Sequence, residues 1–266
     1  MSSLIELYQK YCPYQLNDNV QLLDFNIDID TLRQDMFSFI ANNKFSYNAV
    51  SLRLPVGQDN YIDPDEVLEA TAVGSYEYIS ETAKISPINS KHNKEYQVWH
   101  TDLKDTYVTR LVPQLENLIG LKIGRIRLGW LMPDAGYPMH LDLEPMRLHI
   151  PLITNNSSYF IHDSKLYQMQ YGKLYHLITT GIHTAWNFGK LPRLHLIFST
   201  YGDDALDQAL DNLNDIDTLQ QNFVNDIYHG VNQKTLGFLL SIADPMQKKQ
   251  MAADLKHIKN LLDTKL

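Results

Sequence analysis

Residues 146–154 read MRLHIPLIT, and the alternation of side-chain types along this stretch predicts a β-strand. Successive side chains of a strand point to opposite faces, so every second residue shares a face. One face carries aliphatic side chains only: Leu148, Ile150 and Leu152. Arg147 and His149 share the other face. A strand of this kind either exposes its polar face to water or turns it towards the inside of a barrel.

Residues 193–198, RLHLIF, repeat the pattern. Arg193 and His195 share one face, and the other is aliphatic or aromatic. A buried arginine needs an anionic partner, and no acidic residue stands beside Arg193 in the sequence. If the polar face lines a barrel, a carboxylate ligand is a natural candidate for that partner.

The region around these two strands is rich in short β-type runs. The predicted strands occupy residues 122–132, 146–154, 158–163, 165–179, 183–189 and 192–200. Turn sequences separate several of them, such as PDAGYP (133–138) and NNSS (155–158). Short strands at regular spacing predict a sandwich or barrel, and the double-sheet jelly roll is the usual enzymatic version.

The flanking regions are predicted to contain helices. The N-terminal part mixes strands (20–27, 45–57) with helices (30–43, 106–121), the first helix with Asp30 as N-cap and the second containing Pro113. Residues 203–266 carry apolar residues at spacings of three and four, which predicts an amphipathic bundle. We therefore expect a mainly β, α+β fold. Residues 1–202 would form a double-stranded β-helix (jelly-roll, cupin-like) core domain, and residues 203–266 a C-terminal helical bundle.

Composition excludes several classes of protein. The chain has 266 residues, 44% of them hydrophobic and 20% charged, as in ordinary globular domains. A net charge of −8 gives no electrostatic reason to bind nucleic acid. A single cysteine, Cys12, excludes an intramolecular disulfide. The start of the sequence does not resemble an export signal, and no apolar run is long enough to span a membrane. We expect a cytoplasmic protein without a membrane partner; the sequence does not indicate its oligomeric state.

Four residues form a pattern with chemical meaning. His140 and Asp142 follow a turn, His183 begins a later predicted strand, and Arg193 begins the next one. A His-x-Asp pair in an extended segment places both side chains on one side. Two imidazoles and one carboxylate form the set that holds non-heme Fe(II) with open positions. Taken alone, a His-x-Asp pair is more often structural, so the order and spacing of all four residues carry the interpretation.

An iron site with open positions also accounts for the arginine. A 2-oxo acid chelates iron through its carboxylate and keto oxygens, which leaves one position for O2. The far carboxylate of 2-oxoglutarate then needs a fixed cation, and the planar guanidinium suits it because it binds carboxylates in a bidentate manner. The pattern thus favours an iron- and 2-oxoglutarate-dependent enzyme.

Three stretches of the chain resemble a known family. RIRLGWLMPDAGYPMHLD, MRLHIPLITN and HTAWNFGKLPRLHLIF together cover roughly residues 122 to 200. They are similar to the Fe(II)/2-oxoglutarate dioxygenases of the aspartyl/asparaginyl β-hydroxylase family, including its free-proline hydroxylase relatives. The resemblance implies iron ligands at His140, Asp142 and His183. It also implies that Arg193 holds the distal carboxylate of 2-oxoglutarate, while Arg147 and His149 assist at the cosubstrate.

The implied reaction is the hydroxylation of an unactivated C–H bond, with O2 consumed and succinate and CO2 released. The expected substrate is an amino acid, free, carrier-bound or in a peptide. Asp142 speaks against a halogenase, because halogenases leave that position vacant for the halide. Three alternatives stay open: a non-catalytic jelly-roll binding module, a hydroxylase that acts on a lipid acyl chain, and a cupin-like metalloenzyme that does not use 2-oxoglutarate.

Two further features of the sequence each allow two interpretations. Trp186 and Asn187 either belong to the functional segment or only pack and bond within the barrel. Arg53 either directs a cation towards a substrate carboxylate or is a surface charge.

Overall fold

The computed structural model describes residues 18–43, 49–57, 90–133, 135–136, 146–162, 165–179 and 183–202. The predicted helical bundle of residues 203–266 and Cys12 lie outside the described residues. The described strands are, in chain order, β1 (Val20–Leu22), β2 (Ala49–Ser51), β3 (Arg53–Pro55), β4 (Tyr96–Trp99), β5 (Lys122–Leu131), β6 (Ala135–Gly136), β7 (Arg147–Ile153), β8 (Ser158–His162), β9 (Lys165–Tyr167), β10 (Tyr175–Leu177), β11 (His183–Asn187) and β12 (Arg193–Tyr201). The described helices are α1 (Ile29–Asn42), α2 (Ser90–Glu95), the 3-10 helix η1 (Thr101–Leu103) and α3 (Tyr107–Ile119).

Two antiparallel sheets form the centre of the fold. The large sheet has the order β1-β10-β7-β12-β5-β2, and the small sheet has the order β6-β11-β8-β9. Strands β3 and β4 form a separate antiparallel pair. From β5 onwards the chain passes back and forth between the sheets, with β5, β7, β10 and β12 in the large one and β6, the consecutive strands β8 and β9, and β11 in the small one. This is the connectivity of a double-sheet jelly roll. The prediction of a mainly β fold with antiparallel sheets is confirmed.

Helices α1 and α3 cover the outer face of the large sheet. The apolar residues of α3 recur at spacings of three and four, which gives the helix one continuous apolar side. That side and the apolar side of α1 pack against the aliphatic face of β7 and β12. The cluster includes Leu32, Met36, Phe39, Leu111, Leu115, Leu148, Ile150, Leu196 and Phe198. The hydrocarbon face predicted from alternation is therefore the main core of the protein.

The ends of the two long helices follow from their capping residues. Helix α1 begins after Asp28, whose carboxylate accepts hydrogen bonds from the backbone N of Thr31 at 3.1 Å and from its hydroxyl at 2.7 Å. The prediction of Asp30 as the N-cap was therefore wrong, because Asp30 lies within the first turn of the helix. Helix α3 continues through Pro113 as predicted, although proline forms no intrahelical hydrogen bond through its nitrogen. It ends at Gly120, whose φ of 70° suits glycine.

Three predicted strands are shorter or divided. The strand predicted over residues 20–27 ends at Leu22. The stretch 45–57 contains β2 and β3, because the chain passes from one sheet to another at Leu52, whose backbone bonds Ile126 and His100. The run 165–179 is divided into β9 and β10 by a turn at Gly172, where φ is +70°. Alternation alone does not show where a strand changes its partner.

Candidate functional site

The structure describes four of the six predicted site residues. His183 begins β11, Arg193 begins β12, and Arg147 and His149 lie on β7. The other two, His140 and Asp142, lie outside the described residues. Within the part of the chain that the structure describes, no group of three or more His, Cys, Asp or Glu side chains is placed to hold a metal ion.

Strand register places the polar side chains of β7 and β12 on one face. His149 lies opposite Ile197 of β12 and Tyr175 of β10. Arg193 lies opposite Leu131 of β5. Directly opposed residues in an antiparallel pair share a face, so these side chains form one surface, here called the inner face.

The inner face points towards the small sheet. The His149 ring lies 6.4 Å from the ring of Phe160 on β8. Leu131 and Leu177 of the large sheet pack in one cluster with Phe160 and Ala185 of the small sheet. Arg147, His149, Arg193 and His195 are all buried. The Arg-x-His pairs therefore line the inside of the jelly roll, and the alternative of a water-facing polar side is wrong.

His183 lies in a stack of rings on the small sheet. Its imidazole is parallel to that of His162 at 6.2 Å between ring centres and packs on Phe160 at 5.4 Å. His162 Nε2 lies 2.7 Å from the carbonyl oxygen of Ile178. A carbonyl can only accept, so Nε2 of His162 carries the hydrogen and is not available as a metal ligand. His183 is the second buried imidazole of this stack.

His149 and His195 form a pair of buried imidazoles. Their Nδ1 atoms lie 3.3 Å apart and their rings are perpendicular, at 88°. Burial lowers the pKa of His149 well below its usual value, and three guanidinium groups add to the effect: Arg147, Arg193 and Arg127. Burial, then Arg193 and the neighbouring His149, lower the pKa of His195 in the same way. Both rings are therefore neutral at neutral pH.

Arginines of three adjacent strands surround the histidine pair. Arg127 on β5, Arg147 on β7 and Arg193 on β12 are all buried, and all three act electrostatically on His149. A buried cluster of guanidinium groups favours the binding of carboxylates, which they hold with paired hydrogen bonds. The inner face is thus suited to an anionic ligand.

Sequence reasoning missed two members of this face. Arg127 was detectable, because the alternation in RIRLGWL puts it on the same side as Leu131. His195 was placed on the correct face but received no role. Its contact with His149 depends on strand pairing, which the sequence does not show.

Asn187 and Trp186 stabilise one end of the barrel. Asn187 Nδ2 donates to the carbonyl oxygens of Leu131 at 2.9 Å and Leu191 at 2.8 Å. Its Oδ1 accepts from Asn155 Nδ2 at 3.0 Å. The ring of Trp186 lies directly over Gly136, where a Cβ atom would come within 2.2 Å of it. Of the two interpretations of this dipeptide, packing and bonding within the barrel accounts for both residues.

Arg53 is neither a surface charge nor part of the inner face. Its side chain is buried, and one guanidinium nitrogen donates to the carbonyl oxygens of Ile123 at 2.6 Å and Gly124 at 3.3 Å. The guanidinium carbon lies 4.4 Å from the ring centre of Trp99. These contacts join β3 to β4 and β5, so Arg53 is structural.

Residues 79–202 match the family model described as aspartyl/asparaginyl beta-hydroxylase. This part of the chain is similar to that family. The match includes β4 to β12 and all six predicted site residues, and it spans slightly less than half of the 266 residues. The resemblance seen in the sequence is confirmed, and the match supports a hydroxylase, a class of enzymes.

Solved structures give only partial likenesses. A cupin domain from Bordetella pertussis has 11% identity and a TM-score of 0.27 over 29% of this chain and 81% of that chain. A predicted oxalate decarboxylase from Thermotoga maritima has 14% identity and a TM-score of 0.26 over 34% and 72%. A salicylate 1,2-dioxygenase variant from Pseudoaminobacter salicylatoxidans, in complex with gentisate, has 10% identity and a TM-score of 0.25 over 33% and 22%. The description of the fold rests on the strand pairings themselves.

No curated protein matches the chain. None of the helices in the described ranges is both long and apolar enough to cross a membrane.

Proposed function

We propose that the protein is a non-heme Fe(II)- and 2-oxoglutarate-dependent dioxygenase. It hydroxylates an unactivated C–H bond of an amino acid, free, carrier-bound or in a peptide, and releases succinate and CO2. The observation that carries this proposal is the buried cationic inner face, which lies within the segment matched to the hydroxylase family.

The inner face fits a small dicarboxylate. Arg193 and Arg147 are buried on adjacent strands and present guanidinium groups to the interior. Nε2 of His149 is also buried and has no hydrogen-bond partner in the described part of the chain. Buried polar atoms in native proteins normally have such partners. We assign the distal carboxylate of 2-oxoglutarate to Arg193 and its chelating end to Arg147 and His149.

The proposed metal ligands are His183, His140 and Asp142. His183 fits this role because its imidazole is buried on the inner side of the small sheet, next to Phe160. Bound iron would activate O2 for attack on the C–H bond. The protein's own residues hold the cosubstrate carboxylates, and the apolar side chains of Phe160, Leu131 and Leu177 exclude water around them.

We also propose that residues 1–202 form the dioxygenase domain and residues 203–266 a helical region packed on it. Limited proteolysis of the full chain, followed by mass spectrometry, tests this boundary. A resistant fragment that ends near residue 202 is expected. Cleavage first within the strands of residues 122–201 would contradict the proposed organisation.

The deciding experiment uses Fe(II) and 2-oxoglutarate with the full chain. Under anaerobic conditions the two together should give a weak visible charge-transfer band, and aerobic incubation with amino acids and short peptides should release succinate. A binding module without activity would give neither signal. An iron enzyme of another kind would bind metal but show no change with 2-oxoglutarate, and succinate release only with acyl chains would identify a lipid hydroxylase.

Arg193→Leu tests the cosubstrate assignment. The loss of a bidentate carboxylate contact should raise the KM for 2-oxoglutarate by about 100-fold or more, which corresponds to at least about 3 kcal/mol. Arg110→Leu is the matched control, because Arg110 is exposed on α3, away from the inner face, and its guanidinium donates to the Asp105 carbonyl oxygen. An unchanged KM in Arg193→Leu would refute the assignment.

A further inference from the structure

The contact between His149 and His195 restricts which of their ring nitrogens can carry a hydrogen. His149 and His195 approach each other through the same atom, Nδ1, at 3.3 Å. Both rings are buried and neutral. A neutral imidazole carries one hydrogen, on either Nδ1 or Nε2. The short contact is a hydrogen bond only if one Nδ1 has the hydrogen and the other does not, so the two rings have opposite tautomers.

Opposite tautomers give the pair one donor and one acceptor for a ligand. The ring that donates through Nδ1 has a bare Nε2, and the ring that accepts through Nδ1 has an Nε2–H. Neither Nε2 atom has a hydrogen-bond partner in the described residues, and both are buried. A ligand bound on the inner face can therefore accept a hydrogen bond from one imidazole N–H and donate one to the bare nitrogen of the other imidazole.

The surrounding charge indicates which ring is the donor to a ligand. Arg147 lies two residues from His149 on β7, and Arg127 lies opposite the same residue of β12, Ile197, as His149 does. Arg193 lies two residues from His195 on β12. An anion is therefore held most strongly beside His149. A carboxylate can only accept hydrogen bonds, so beside it the Nε2–H form of His149 is favoured over the bare form.

We propose that His195 is a positioning residue that fixes the tautomer of His149. His195 donates from Nδ1 to the bare Nδ1 of His149, and His149 thereby presents Nε2–H to the cosubstrate carboxylate. The role at the cosubstrate rests on the proposed function. That the two rings have opposite tautomers is a property of the protein itself and is measured without metal or activity, whereas the choice of His149 as the Nε2–H ring depends on the bound carboxylate.

Nitrogen NMR of the uniformly 15N-labelled full chain tests the tautomers directly. Long-range 1H–15N spectra of the metal-free protein with 2-oxoglutarate added should show His195 with the hydrogen on Nδ1 and His149 with the hydrogen on Nε2. A scalar coupling between the two Nδ1 nuclei should report the hydrogen bond. Spectra with both rings in the same tautomer, or with the hydrogen on Nδ1 of His149, would overturn the proposal.

Titration with 2-oxoglutarate separates this proposal from the proposed function. The resonance of His149 Nε2–H should shift as the cosubstrate binds, with no shift of comparable size at the His162 ring. If 2-oxoglutarate does not bind at all, the proposed function fails, while the opposite tautomers of the two rings are still expected from their Nδ1 contact. If it binds and the His149 resonance does not move, the positioning role is wrong.

Two variants distinguish positioning from packing. His195→Asn places an amide nitrogen near the former Nδ1 and can still donate to His149, whereas His195→Leu cannot. We expect KM for 2-oxoglutarate to rise at least about tenfold in His195→Leu, with a smaller change in kcat, and to return most of the way in His195→Asn. Equal KM values in the two variants would contradict the proposal. The spectra of the Asn variant decide the question should the Leu variant fail to fold.

Discussion

The two faces of the large sheet are built from the same strands and differ in purpose. On β7 and β12, Leu148 and Phe198 point outwards to helices α1 and α3, while Arg147 and His195 point inwards to the small sheet. Both faces are buried, so burial alone does not separate core from site. The chemical type of the side chains does separate them: one face removes hydrocarbon from water, which stabilises the fold, and the other gathers guanidinium groups and imidazoles inside the barrel.

The largest expected effect comes from the inner side of the barrel. His183→Ala should reduce succinate release to background and abolish iron binding, because it removes a proposed ligand. The melting temperature should change much less than in outer-face variants, since His183 packs on Phe160 and not in the main core. His100→Ala is the control, because the His100 ring packs edge-on against Phe39 of helix α1 and away from the inner face. Retained iron binding in His183→Ala would show that the metal is held elsewhere.

On the outer face, we expect a substitution to lower stability and to leave the affinity for 2-oxoglutarate unchanged. Phe198 is completely buried in the main core, and Phe198→Ala should lower the free energy of unfolding by about 3–5 kcal/mol. Affinity for 2-oxoglutarate per folded molecule should stay the same, since its neighbours on the inner face are unchanged. Urea unfolding and isothermal titration measure the two quantities. A large loss of affinity for 2-oxoglutarate with little loss of stability would contradict the assignment of stability to the outer face and of ligand binding to the inner face.

Buried histidines should make the protein sensitive to acid. Burial lowers the pKa of His176 to about 4, and Asp18 opposes this only in part. The unfolded chain, with an ordinary histidine pKa near 6.5, therefore binds more protons between about pH 6.5 and 4. Stability should be constant above that window and fall through it, by up to about 3 kcal/mol from His176 alone.

His176→Leu should flatten this acid slope in urea unfolding between pH 7.5 and 5. Part of the slope should remain, because burial also lowers the pKa values of His149 and His195 on the inner face. An unchanged slope in the variant would show that His176 does not remain neutral in the folded state. The comparison thus separates the contribution of the outer face, where His176 pairs with Leu148, from that of the inner one.

The two faces also differ in how far the sequence could predict them. Alternation was sufficient to place Leu148 and Phe198 in a core and Arg147 and Arg193 on a common side, because a strand has a period of two wherever it pairs. The neighbour of each strand was not predictable from alternation. The His149–His195 contact and the break between β9 and β10 therefore appeared only with the strand pairings. The ligand roles of His140 and Asp142 stay predictions, since both residues lie outside the described residues.

The smallest effect concerns the helix that covers the outer face. Asp28→Ala should lower the melting temperature, because it removes the two hydrogen bonds that cap α1 at Thr31. These bonds also keep the pKa of the Asp28 carboxyl below its usual value, so the stabilisation should disappear as the pH falls through that lowered pKa. Asp30→Ala is the matched control: it removes a charge of the same sign from the first turn but no capping bond. Equal melting temperatures for the two variants would show that the cap contributes nothing beyond the interaction of a negative charge with the helix dipole.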